Sequence, residues 1–152
     1  MNLTDRISGW IREQVEKAGA AGVVVGLSGG IDSAVVTVLA KRAMGDHVQA
    51  LILPCHSLGE DERDALMLAE TFGIRWERAD LSMVYDVLLQ QLPEAGLMGK
   101  ANLKPRLRMT VLYYYANRFN YLVAGTGNKS ERMMGYLPNS ETEERTSSPW
   151  EI

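Results

Sequence analysis

The chain has 152 residues, a formal net charge of −3, 46% hydrophobic and 23% charged residues, which is the make-up of an ordinary globular protein large enough for one domain with a real core. The mild acidity gives no electrostatic footing for nucleic acid or a membrane surface, no apolar run is long enough to span a bilayer, and the start of the chain does not read as a signal peptide. A lone cysteine, Cys55, excludes an internal disulfide and fits a reducing compartment, so the expected location is the cytoplasm.

In chain order, Leu3, Ile7, Trp10, Ile11 and Val15 share one helical face, which predicts an amphipathic helix capped near Thr4 or Asp5. Residues 21–27 (AGVVVGL) form a valine-rich run predicted as a buried parallel strand. Residues 31–44 have helical spacing and stop at Gly45-Asp46, and 48–53 is a second strand stopped by Pro54. Residues 60–72 read as a helix with Gly73 as its C-terminal glycine, 74–79 as a third strand, and 81–92 as a helix before Pro93. Residues 94–102, with Gly96, Gly99 and Asn102, read as a loop. The next helix is predicted over 103–117, with Pro105 in its first turn, where a missing N–H costs nothing. A fourth strand at 121–124, a loop at 125–128 and a helix beginning at 129 follow. Strands alternating with helices imply an α/β fold: a doubly wound parallel sheet with helices on both faces. Residues 138–152 are polar and have no strand or helix period.

The strongest chemical signal is strand, then Ser28-Gly29-Gly30-Ile31-Asp32-Ser33, then helix. Adjacent glycines let backbone N–H groups close on an anion, and the helix that follows adds its positive dipole end. Ser28 and Ser33 carry hydroxyl donors, while Asp32 accepts only, so beside phosphates it makes sense through a metal cation. The loop is neither GxxxxGK[ST] nor GxGxxG. The plainer alternative is a glycine turn with Asp32 capping the helix.

This motif after an apolar strand resembles the N-type ATP pyrophosphatases, which bind the pyrophosphate portion of ATP and adenylate a carbonyl or carboxyl oxygen. Asp64-Ala65 with Leu68-Ala69, the segment Asn102-Leu103-Lys104-Pro105-Arg106-Leu107-Arg108-Met109, and Gly125-Thr126-Gly127-Asn128-Lys129-Ser130-Glu131 followed by Gly135-Tyr136 are similar to the corresponding segments of ammonia-dependent NAD synthetases, with Pro105 in place of an alanine. The resemblance runs from Leu3 to Tyr136 and implies an adenine-nucleotide-hydrolase-like (Rossmann-like) domain over residues 1–136. It implies that Gly26, Leu27, Ser28, Gly29, Gly30, Ile31, Asp32, Ser33 and Thr126 contact ATP, that Arg106 contacts deamido-NAD, and that Asp32 and Glu131 hold Mg2+. The reaction implied is ATP-dependent amidation of deamido-NAD by ammonia, giving NAD, AMP and pyrophosphate, in a homodimer with no nucleic-acid or membrane partner. No glutaminase domain precedes Leu3, so free ammonia is the expected nitrogen source. Taken singly, these residues also have plainer readings: Arg106 and Arg108 as snorkelling surface groups, Thr126 as a turn residue, Glu131 as a capping-box glutamate. Other N-type pyrophosphatases, GMP synthetase-like or tRNA-modifying, and a non-catalytic ATP-binding fragment are the competing assignments. Cys55-His56 is expected to be a loop rather than a metal site, and Tyr113-Tyr114-Tyr115 to point in different directions on a helix.

Residues 137–152 depart from the family, which continues with a pattern like FTKxGDGGxDxxPxGDL. Permitted codons for these residues, read in the neighbouring frame, encode TKLGDGGADILPLGD. A single-base deletion near codon 137 is therefore expected to have produced a non-family tail, and the substrate-contacting lysine expected at the position of Asn139 is absent. Activity of the chain as it stands is accordingly in question, and apolar surface meant for the missing elements is expected to lie exposed.

Overall fold

A computed structural model describes residues 1–125. The elements are α1 (Leu3–Lys17), β1 (Gly22–Gly26), α2 (Ile31–Met44), β2 (Val48–Ile52), α3 (Gly59–Thr71), β3 (Arg75–Arg78), α4 (Ser82–Gln91), α5 (Leu97–Phe119) and β4 (Tyr121–Ala124). The cap of α1 is Asn2 rather than Thr4 or Asp5: its side-chain oxygen accepts the Asp5 N–H at 2.9 Å, satisfying a donor that the first turn leaves without a partner. Arg12 of α1 donates from Nε and Nη2 to the Ala43 carbonyl (3.0 and 2.7 Å), placing a cation at the negative end of α2.

All four strands are parallel in the order β3-β2-β1-β4, with Val23 beside both Val48 and Leu122. The alternation of a strand divides the core into two layers. Val23 and Val25 join Ile11, Val15, Ala40, Ala43, Ala65 and Ala69 on the α1–α2–α3 face. Val24, Leu51 and Val123 join Leu81, Tyr85, Leu112 and Ala116 on the α4–α5 face. The doubly wound sheet expected from the pattern is thus observed. β3 is exposed along its whole length, and its two arginines protect that edge from further strand pairing.

The loop predicted over 94–102 is a correction. α5 already begins at Leu97, so Pro105 sits well inside the helix rather than in its first turn. Glycine and proline argue against helix on propensity alone, but packing overrides them: Leu103 and Leu107 pack against the α4–α5 core layer, and Tyr85 donates its hydroxyl to the Lys100 carbonyl at 3.2 Å. The helix ends at Asn120, in the left-handed conformation (φ 55°), whose side chain donates to the Gly19 carbonyl. Tyr114 is exposed while Tyr113 and Tyr115 are half-buried, as expected of consecutive helical residues. Met83, Val84 and Val87 of α4 and Leu97 and Met98 of α5 are exposed. Among the described residues no helix is long and apolar enough to cross a membrane.

Candidate functional site

The SGGIDS segment leaves the C-terminal end of β1 and enters α2 directly. Its shape comes from one buried hydroxyl. Ser33 Oγ donates to the Gly30 carbonyl (3.0 Å), accepts the Ser28 N–H (3.1 Å) and lies 3.0 Å from Ser28 Oγ. With the single Ser33 hydrogen on that carbonyl, the Ser28 hydroxyl is the donor between the two, and it accepts the Gly30 N–H in turn (3.3 Å). Both hydroxyls therefore shape the loop. Gly29 has φ +87°, and a Cβ there would stand 2.3 Å from the Asp61 carbonyl oxygen at the start of α3. Only glycine meets both conditions.

Gly30 is the N-cap of α2 and no side chain caps the helix. Asp32 is not the cap; it lies exposed in the first turn. The N–H groups that α2 leaves without intrahelical partners are thus open to an anion. A carboxylate beside such an anion suits Mg2+, which takes one or two carboxylates together with phosphate oxygens. Among the described residues no group of three potential metal-ligating side chains is present, and Asp32 fits as one ligand of such an ion. Thr126 and Glu131 lie outside the described residues, as does the whole segment from 126 onward. β4 runs parallel to β1, with Ala124 beside Val25, and so delivers the chain at Gly125 to the same end of the sheet as the loop.

A cavity of about 350 Å3 opens beside the loop, across the ends of β1 and β2. Gly26, Leu27 and Ser28 form one side, Leu53, Pro54 and Ser57 another, and Pro105, Arg108, Met109 and Leu112 of α5 close it. Asp61 and Glu62 stand at its rim side of α3. The crevice beyond the strand C-termini is where open α/β sheets bind ligands. Arg106 is exposed on α5 and does not line this cavity; Arg108 does. Two helical positions differ by about 200° in direction, so the arginines face opposite ways. Arg108, Ser57, Asp61 and Glu62 were not singled out from the sequence as site residues. For Arg108 a signal existed: 105, 108, 109 and 112 follow the i, i+3, i+4, i+7 spacing of one helix face.

Cys55 and His56 lie in the loop after β2, as expected. Burial pushes the Cys55 thiol up from its ordinary value, so it is held as the neutral form. The His56 ring lies 2.7 Å from the Asp86 carboxylate and packs edge-on against Tyr85.

The NAD synthase family model matches residues 3–139. The chain belongs to the NAD synthase family. An NH3-dependent NAD+ synthetase of Carboxydothermus hydrogenoformans is 45% identical over 139 residues, 88% of this chain and 57% of that protein. Among solved structures, NH3-dependent NAD synthetase from Campylobacter jejuni, in complex with the nitrate ion, superposes with a TM-score of 0.84 at 37% identity, covering 90% of this chain and 61% of that one. NMN synthetase from Francisella tularensis superposes with a TM-score of 0.82 at 37% identity, covering 88% and 57%. The chain spans a little over half the length of the curated NAD synthases it matches.

Proposed function

We propose that this chain carries the ATP-binding part of an ammonia-dependent NAD synthetase. The observation that carries the reading is the SGGIDS loop, shaped by Ser33, which joins an uncapped helix N-terminus to a cavity at the strand ends that the loop lines from Gly26 to Ser28. Gly26 to Ser33, with Thr126, hold ATP: loop amides and the α2 dipole take the phosphates, and the cavity walled by Leu27, Leu53, Pro54 and Met109 takes the nucleoside. Asp32 and Glu131 hold magnesium, which when bound neutralises charge on the departing pyrophosphate. The preorganised amides do the same without reorganising. Arg106, free of the ATP cavity and exposed on α5, binds deamido-NAD, whose nicotinate carboxylate is adenylated and then attacked by ammonia. The names of the curated relatives support ammonia as the nitrogen source.

The complete enzyme is a cytoplasmic homodimer in this reading. The apolar side chains exposed on α4 and α5 support a partner surface there. Residues 1–136 form the family domain and 137–152 a tail produced by a frame change in this reading; the family match, residues 3–139, ends three residues past that boundary.

A second reading has its own support. The likeness to NMN synthetase is as close as the likeness to the NAD synthetase structure, so the acceptor is tested as dinucleotide and as mononucleotide. Pyrophosphate release is measured with ATP, magnesium, ammonia and either acceptor, on this chain and on a frame-restored version. The restored chain releases pyrophosphate only with its true acceptor. ATP binding without release in both chains leaves a nucleotide-binding fragment and sinks the synthetase reading.

A further inference from the structure

Residues 53–58 carry the chain from β2 to α3 without regular structure, and Leu53, Pro54 and Ser57 wall the cavity. The turn includes His56 at φ +51°, a left-handed conformation uncommon for a residue with a side chain. The segment is held from other elements. Arg108 Nε donates to the Leu53 carbonyl at 2.9 Å and Nη2 to Ser57 Oγ at 3.4 Å. Ser57 Oγ also accepts the Cys55 N–H (3.0 Å), so one guanidinium grips the segment at both ends. From α4, Ser82 Oγ accepts the His56 N–H (2.9 Å). Of these outside partners, Arg108 alone also lines the cavity. The segment leads into α3, whose Asp61 backbone abuts Gly29 of the phosphate loop. The placement of the wall therefore sets the width between wall and loop.

We propose that Arg108 is a positioning residue for nucleotide binding: its fork pins the 53–58 wall at the distance from the SGGIDS loop at which the nucleoside of ATP is gripped. This rests on the ATP-binding reading of the cavity. It predicts a split between ligands, because inorganic pyrophosphate needs the loop alone and ATP needs loop and wall together.

The test uses the full 152-residue chain, with Kd for MgATP and for inorganic pyrophosphate measured by titration calorimetry. Arg108→Ala raises the Kd for ATP about tenfold, the size expected for losing one charge-assisted hold, and moves that for pyrophosphate by less than about twofold. Arg108→Lys recovers part of the loss, since an ammonium keeps the charge but lacks the planar fork whose fixed spacing matches the two acceptors. Cys55, the only cysteine and 1% exposed, reports the segment directly. Its reaction with an aromatic disulfide reagent accelerates about tenfold or more in Arg108→Ala, because opening exposes it. Unchanged ATP affinity in Arg108→Ala overturns the proposal, as does an equal loss for both ligands with a lowered thermal midpoint, which marks a merely structural role. A wild-type chain that binds pyrophosphate but not ATP overturns the nucleoside reading of the cavity; the thiol rates then still decide whether Arg108 holds the segment, and an unchanged rate overturns that as well.

Discussion

On one side of the cavity the SGGIDS loop is tied by hydrogen bonds between residues no more than five positions apart. On the other side the 53–58 wall is held by residues 26 to 55 positions away. The first can take its shape as soon as β1 and α2 meet. The second exists only once α4 and α5 have packed on the sheet. A local device tolerates distant change and fails abruptly when its own residues change; a device assembled at long range weakens by degrees, one tie at a time.

The comparison is broken most severely at Gly29. Gly29→Ala places a Cβ against the Asp61 carbonyl in a left-handed residue, so stability falls by ~2–3 kcal/mol and pyrophosphate binding is lost. Thermal unfolding and calorimetry check this, and a Gly29→Ala chain that binds pyrophosphate normally breaks the account of the loop. Next is Ser33→Ala, which removes the hydroxyl that ties Ser28 to Gly30. Both ATP and pyrophosphate weaken, by about tenfold, as one buried hydroxyl with unsatisfied partners is worth ~1–2 kcal/mol. This is the opposite of the ligand split at Arg108. Smaller is His56→Ala, which removes an exposed ring tie to Asp86 worth up to ~1 kcal/mol; it speeds Cys55 modification without abolishing ATP binding.

The smallest effect is in acid. Asp80 is held below the ordinary carboxylate range first by the Ser82 hydroxyl, then by the Ser82 N–H and Arg78. A lowered pKa means that its contribution is present at neutral pH and lost as pH falls through that lowered value. The thermal midpoint of wild type therefore drops slightly more than that of Asp80→Asn between about pH 5 and pH 2. The α4 start, with the Ser82 tie to His56, is the part that loosens. Equal slopes for the two chains remove Asp80 from that hold.

What was legible in the sequence follows the same division. The glycine pair, the valine strand and the helical spacing after Ile31 are local, and the loop appears where they placed it. The strand order was not readable, because which strand flanks β1 is decided by packing between distant segments. The start of α5 was missed because Gly96, Gly99 and Pro105 speak locally against helix while the Tyr85 hydroxyl and the sheet face speak for it from elsewhere. Arg106 and Arg108 occur in one motif, and only the helix direction separates the exposed one from the one in the cavity.

The strand that carries the loop has neighbours on both sides and buried valines on both faces. Its amide protons have no fraying edge through which to reach solvent, so those of β1 exchange only when the whole sheet comes apart. An anion bound at the end of β1 stabilises the folded state by mass action. The slowing it causes is then greatest at the core amides that exchange last, well away from the ligand, and least in the surface helices. An anion held at one end of this strand is in that case read out as the kinetic persistence of the entire fold.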